Sequence, residues 1–288
     1  MPTVAANGIE ISYERRGDPS GTPLLMIHGL GAQMTDWDDR FLDLVVEAGF
    51  HVVIFDNRDA GESTWFDEAG EPDLVALLME GVGEPPYLVA DMAADAAALL
   101  DALDLGSVHV LGVSMGGMIA QQFAIDHGHR VLTLTSIMST PHILTVGQPT
   151  DEALVSLMAP PAATRQEAID QMLFTGRFIS SPAYAFDEEF HQGRAAQHYD
   201  RGYHPVGTAR QTAAIMASPD RTEALRTITT PTLVIHGDAD PLVTLPGGHA
   251  TASAVEGSEL WVIEGMGHDL PQALWPQLIE RLSAHTGV

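Results

Sequence analysis

Residues 107–118 constrain this chain more than any other stretch. Val108 to Val113 is an apolar run that reads as a short buried strand. Gly112-Val113-Ser114-Met115-Gly116 fits G-x-S-x-G, and Met118 to Ile125 then reads as a helix. A strand, a sharp turn with serine at its apex and a helix form the context of a nucleophile elbow. Such a turn strains the serine backbone and lifts its Oγ above the sheet. Larger side chains two residues either side would collide with the helix or the next strand, which fits Gly112 and Gly116. The rival reading is a turn that only packs tightly, or one that binds phosphate at the helix N-terminus.

The rest of the chain supplies a parallel sheet around this turn. Val4-Ala-Ala6 and Ile9 to Tyr13 flank Asn7-Gly8, a hairpin signal. Leu24–Ile27 reads as a central strand, 36–48 as a helix with Trp37, Phe41, Leu44 and Val45 on one face, and His51–Phe55 as a strand. Residues 64–88 read as loop with a short helix, and Leu88–Leu105 as an alanine-rich helix closed by Gly106. Val131–Ile137, Pro231–Ile235 and Glu259–Ile263 complete eight predicted strands, with helices near 247–255 and 272–285. Strands alternating with helices imply βαβ units and a mostly parallel sheet flanked by helices. The alternation stops near Pro141. Residues 141–227 carry only helical patterns, at 151–158, 165–174, 185–199 and 207–217. The expected organisation is therefore a core of residues 1–140 and 228–288, with residues 141–227 inserted as a helical cap.

An elbow serine needs a base, and the base needs an orienting carboxylate. Parallel sheets collect such groups at the C-terminal ends of their strands. Ile235 leads into His236-Gly-Asp238-Ala-Asp240, and Ile263 leads into Glu264-Gly-Met-Gly-His268-Asp269. Ser114 and His268 follow as nucleophile and base; Asp238 and Asp240 both qualify as the acid, and Asp240, one turn past the strand, reaches better towards the histidine loop. The strand ending at Ile27 opens into His28-Gly-Leu-Gly31. Backbone N–H groups stabilise a developing oxyanion without reorganising. Met115, just after the serine, is one expected donor, and Leu30 in the glycine loop is the other. His28 itself reads as structural. Asp56 and Arg58 read as an ion pair fixing their turn. His127 with His129, and His191 with His198, read as solvated surface rather than metal ligands, so no metal is expected.

On these residues the chain resembles the α/β-hydrolase family with a helical cap, along essentially its whole length. His28-Gly-Leu-Gly31, Asp56 to Ser63, Gly112 to Gly117, Gly237-Asp-Ala-Asp-Pro241 and Gly265-Met-Gly-His268 fall where that family places its motifs. Arg58-Asp59 departs from the commoner Arg-Gly. With Gly265-Met-Gly-His268, that variant is similar to the carboxylesterase branch that includes aclacinomycin methylesterase. The resemblance implies a Ser114, Asp240, His268 triad in the chain order serine, acid, histidine. It implies a serine carboxylesterase that works through an acyl-enzyme without metal or organic cofactor. A lactonase or perhydrolase would use the same triad. Carbon–carbon bond hydrolases tend to carry tryptophan after the histidine, where this chain has Asp269, and Ser114 excludes the aspartate-nucleophile dehalogenases and epoxide hydrolases. A hormone-type ligand receptor on this fold is the rival from another class.

Composition limits the partners. Formal net charge is −26, and every one of the 13 basic residues is arginine. Such a surface repels nucleic acid, which binds by releasing counterions, and disfavours anionic substrates, so a neutral small-molecule ester is expected. Cysteine is absent, which removes disulfides and thiol chemistry. No run approaches the ~20 apolar residues of a membrane span, and no secretory signal is visible, so no membrane partner and a cytoplasmic location are expected. Met138, Met158, Phe174, Ile215 and Met216 are candidate substrate-pocket residues, most of them drawn from the inserted helices.

Overall fold

The computed structural model describes residues 1–80, 84–157 and 160–288. Strands β1 (Thr3–Ala6), β2 (Ile9–Arg16), β3 (Thr22–Ile27), β4 (Phe50–Phe55), β5 (Val108–Val113), β6 (Val131–Ile137), β7 (Thr232–Gly237) and β8 (Glu259–Ile263) form one sheet. Their order is β1-β2-β4-β3-β5-β6-β7-β8. β1 and β2 are antiparallel to their neighbours, and every pairing from β4 to β8 is parallel. The helices are α1 (Asp39–Glu47), α2 (Leu74–Glu80), α3 (Val89–Ala102), α4 (Met115–Asp126), α5 (Asp151–Leu157), α6 (Arg165–Ile179), α7 (Glu188–Gly202), α8 (Pro205–Ala217), α9 (Thr222–Leu225), α10 (Pro246–Ala254) and α11 (Trp275–Thr286).

The apolar runs are continuous because both sheet faces are covered. In β3, Leu25 and Ile27 join the core under α3 and α4, while Leu24 and Met26 join the core under α1 and α11. The hairpin turn lies at Asn7-Gly8, both with positive φ, as that dipeptide favours. One boundary differs from expectation. α3 ends at Ala102 rather than running to Leu105, and Asp104 takes the left-handed turn expected of Gly106. The Leu105 N–H then returns to the Leu100 carbonyl at 2.9 Å, so the helix closes without glycine.

Residues 141–227 leave the sheet after β6 and return at β7, carrying α5 to α9. Buried charge joins this segment to the sheet. Arg210 on α8 grips Asp59 with Nε at 2.9 Å and Nη2 at 2.7 Å, and both side chains are fully buried. Arg201 on α7 grips the buried Asp56 at 3.0 and 2.6 Å. His198 on α7 bonds Asp36 at 2.9 Å. Two sequence expectations change here. Asp56 pairs with Arg201, while Arg58 instead makes two 2.6 Å bonds to Asp95 on α3. His198 is buried at 8 % exposure, not solvated: its ring bonds Asp36 at 2.9 Å and its carbonyl accepts from Gln33 Nε2 at 2.9 Å.

Asp59 has φ of +65°, which accounts for the usual glycine at this position. Its carboxylate also accepts from Tyr87 at 2.6 Å and from the Phe66 N–H at 2.8 Å. Arg210→Met should strand that buried charge and destabilise the fold by about 3–5 kcal/mol. Adding Asp59→Asn to the same chain should restore part of the loss. Denaturant melts of the two single variants and the double variant check both, and additive losses would contradict the coupling.

Candidate active site

Ser114 sits between β5 and α4 with φ of +56° and ψ of −122°, a strained conformation for a non-glycine residue. The turn is this tight because its glycines allow it. A Cβ on Gly112 would collide with the Gly116 carbonyl, and one on Gly116 would collide with the Ile27 carbonyl. The Ser114 N–H is held by the Ile137 carbonyl at 3.0 Å, and its carbonyl accepts from Ser139 Oγ at 2.8 Å. With its backbone held at both ends, the side chain projects over the strand ends.

His268 reaches it from the loop after β8. Its Nε2 lies 2.9 Å from Ser114 Oγ and its Nδ1 lies 2.7 Å from Asp240 Oδ2. Asp240 follows β7 and is 4 % exposed. Its other oxygen accepts from the Leu242 and Val243 N–H groups at 2.9 and 3.0 Å, which fixes the carboxylate plane. Asp238 does a different job: its Oδ1 accepts the Gly265 N–H at 2.7 Å and ties the β7 and β8 loops together. A hydroxyl bonded to an imidazole, itself bonded to a buried carboxylate, can be activated for attack on an acyl group.

The loop after β3 lies against the serine. A Cβ on Gly29 would stand 3.2 Å from Ser114 Cβ. In this loop the Gly29 N–H donates to His28 Nδ1 at 2.8 Å and the Gly31 N–H donates to Gln211 Oε1 at 2.7 Å. Among the described residues, the Leu30 and Met115 N–H groups donate to no protein acceptor. These two free donors, beside a nucleophile whose own N–H is occupied, suit a developing negative charge.

The inserted segment touches this centre on both sides. The Ile179 carbonyl accepts the His268 N–H at 2.7 Å, and Ser181 Oγ accepts the Gly267 N–H at 2.8 Å. Ser181 also bonds Asp269 through its Oγ and, at 2.9 Å, through its N–H. Burial pushes the Asp269 carboxyl above the usual range, against the pull of those Ser181 bonds. Sequence reasoning missed Ser181, Arg201, Arg210 and Gln211. Each acts on a partner far away in the chain, and none belongs to a motif.

The pocket candidates separate. Met138, one residue past β6, is 3 % exposed, whereas Phe174 on α6 is 68 % exposed and faces solvent, a correction to its expected place in a pocket. Ile215 and Met216 on α8 are partly buried, and Ile215 packs against the core beneath α3 and α4. Met158 lies outside the described residues. Among the described residues no group of three or more His, Asp or Glu is arranged to hold a metal ion. Among those residues, too, no helix is long and apolar enough to cross a membrane.

His28 carries a pH consequence. Its Nδ1 accepts the Gly29 N–H at 2.8 Å, and its ring packs on Trp37 at 4.6 Å. Burial pushes its pKa down to about 4, against the opposing pull of Asp36. Burial likewise pushes His191 down to about 4. In the unfolded chain both should titrate near the ordinary 6.5. Above that value neither state holds the proton; below it the unfolded chain takes up protons that the fold refuses. Stability should therefore be complete above about pH 6.5 and fall as pH drops towards about 4. Melting curves across that window check the sign, and a flat profile would contradict it.

Comparison with known proteins agrees with this fold. A family model described as the alpha/beta hydrolase fold matches residues 22–271. The rhodomycin D methylesterases of Streptomyces sp. (strain C5) and Streptomyces peucetius are each 29% identical, over 99% of this chain and 98% of their own. A non-heme haloperoxidase of Rhodococcus erythropolis is 28% identical over 94% of this chain and 93% of its own. Among solved structures, the meta-cleavage product hydrolase of Pseudomonas fluorescens IP01 superposes with a TM-score of 0.78 at 17% identity, covering 100% of this chain and 97% of its own. The esterase of Exiguobacterium antarcticum gives 0.77 at 24% identity, covering 99% of each chain. At these identities the superpositions speak for the fold. The strand order, the strained serine turn and a family match over residues 22–271 agree, and the chain belongs to the alpha/beta hydrolase fold family.

Proposed function

We propose that this protein is a serine carboxylesterase acting on neutral esters, with Ser114, His268 and Asp240 as its catalytic triad. The observation that carries the reading is the single imidazole bonded at 2.9 Å to a strained serine and at 2.7 Å to a buried carboxylate. His268 Nε2 takes the Ser114 proton as Oγ attacks the ester carbonyl. The Leu30 and Met115 N–H groups hold the oxyanion of the tetrahedral intermediate. His268 then gives its proton to the departing alcohol, leaving an acyl-enzyme. Water attacks the acyl carbon, with His268 again as base, and His268 returns that proton to Ser114 Oγ as the acyl–oxygen bond breaks and the acid is released. Asp240 keeps the imidazole with Nδ1 protonated and stabilises its charged form.

The full-length likeness to two methylesterases supports a small alcohol as leaving group. The net charge of −26 supports a neutral substrate over an anionic one. Met138, beside the serine turn, and Ile215 and Met216 on α8 are the side chains we assign to the pocket wall. A panel of p-nitrophenyl and methyl esters tests the reading, with lactones and hydrogen peroxide as alternative substrate and acyl acceptor. Multiple turnovers of simple esters are expected, and chelators should not slow them. A single burst without turnover would point to a ligand receptor and sink the esterase assignment.

A further inference from the structure

Gln211 is fully buried on α8, in the inserted segment, yet both ends of its amide bond the core. Its Oε1 accepts the Gly31 N–H at 2.7 Å, and its Nε2 donates to the Arg58 carbonyl at 2.7 Å. Arg58 is itself locked on Asp95 of α3. Gln211 thus transmits the rigidity of the sheet-side core to the loop after β3.

That loop contains the free Leu30 N–H, and two planar peptide groups fix its direction. The Gly29–Leu30 peptide carries the Leu30 N–H, and its carbonyl accepts from the Ala32 N–H at 3.3 Å, a long bond. The Leu30–Gly31 peptide is held by Gln211 at 2.7 Å. Because each peptide is planar, holding both sets φ and ψ at Leu30 and so aims its N–H. Gly31 has φ of +67°, and a Cβ there would lie 2.8 Å from Thr208 Oγ1, so α8 also packs directly on the turn. The shorter of the two bonds that aim Leu30 therefore comes from the inserted segment.

We infer that Gln211 is a positioning residue for the oxyanion donor Leu30, so that the inserted segment completes the catalytic centre. This rests on the esterase reading above. Gln211 touches no reacting atom and acts only through the Gly31 peptide. Without it, the Leu30–Gly31 peptide loses the 2.7 Å bond that sets its plane and can tilt against Thr208, so the donor loses its aim, which weakens transition-state binding and leaves ground-state binding in place.

The test separates aim from folding. Gln211→Leu and Gln211→Met both remove the acceptor, the second with an unbranched chain that adapts more easily to the space. Titration with a fluorophosphonate counts competent Ser114 in each preparation. Per titrated serine, kcat should fall on the order of 10–100-fold while KM stays within about threefold. Affinity for a trifluoromethyl ketone, whose adduct carries the oxyanion, should fall by the same factor as kcat/KM. A kcat per titrated serine within about twofold of the unsubstituted protein, whatever the loss of melting temperature, would show that Gln211 only anchors the segment and overturns the inference. A second measurement uses the unsubstituted protein. Its Gly31 amide should resist hydrogen exchange, and capture of Ser114 by the ketone should shift the Leu30 amide resonance. Rapid exchange at Gly31 overturns the inference even if neither variant folds. Absence of ester turnover in the unsubstituted protein is a separate result, which removes the esterase reading itself.

Discussion

Ser114→Ala is expected to lower kcat by about 10⁴–10⁶-fold, on the order of 5–8 kcal/mol of barrier, with the fold intact. The size follows from the mechanism. Without Oγ there is no acyl-enzyme, and His268 has no hydroxyl to deprotonate. What survives is ester binding beside the Leu30 and Met115 N–H groups, which still favours attack by water to a small degree. Stability should change little and in the favourable direction if at all. The strain at φ of +56° belongs to the backbone and persists with alanine, but removing Oγ takes a polar group out of a partly buried site. A fluorophosphonate should label Ser114 in the unsubstituted protein and nothing in the variant. Retained esterase activity with a native melting curve would show that the chemistry lies elsewhere.

The elements that place this serine were legible in sequence because each has a local cause. Asn7-Gly8 makes a hairpin, Leu24–Ile27 makes a strand buried on both faces, and Gly112 and Gly116 permit the tight turn. Each signal needs only a few neighbouring residues. The expected helices within 141–227 also appear, with α6 extending to Ile179 and α9 added. What the sequence hid is how that segment meets the sheet. Arg201 finds Asp56, Arg210 finds Asp59 and Gln211 finds Gly31 across chain separations of 145, 151 and 180 residues. No periodicity or spacing encodes such pairings. The misreading of Asp56 with Arg58 shows the bias that results. Nearby opposite charges suggest a local pair, whereas a fully buried carboxylate takes whichever guanidinium the tertiary fold delivers to it. Phe174 shows the same bias for apolar groups: its hydrophobicity suggested a pocket, and the orientation of α6 leaves it in solvent.

Asp240→Asn should cost about 10⁴-fold in kcat, far more than Asp238→Asn. Both carboxylates lie just past β7, so residue type cannot separate them; their partners do. Asp240 Oδ2 meets His268 Nδ1 at 2.7 Å, and its other oxygen is saturated by the Leu242 and Val243 N–H groups. An asparagine there would keep its carbonyl oxygen on those two N–H groups and turn its NH₂ towards the imidazole. That NH₂ needs an acceptor, so Nδ1 would have to lose its proton and Nε2 would carry it. An imidazole protonated at Nε2 cannot take the proton of Ser114 Oγ. The negative charge that stabilises the imidazolium would also be gone. Asp238 instead accepts the Gly265 N–H at 2.7 Å and is exposed. Asparagine can accept that same bond, so its loss should be modest, within about tenfold, through a looser histidine loop. The pH profile separates the two further. With the carboxylate's charge gone the imidazolium is less stable, so the acid limb of the residual activity of Asp240→Asn should move to lower pH, while Asp238→Asn should keep the profile of the unsubstituted enzyme. If Asp238→Asn proves the more damaging change, the carboxylate bonded to His268 in the structure is not the one that supports the reaction.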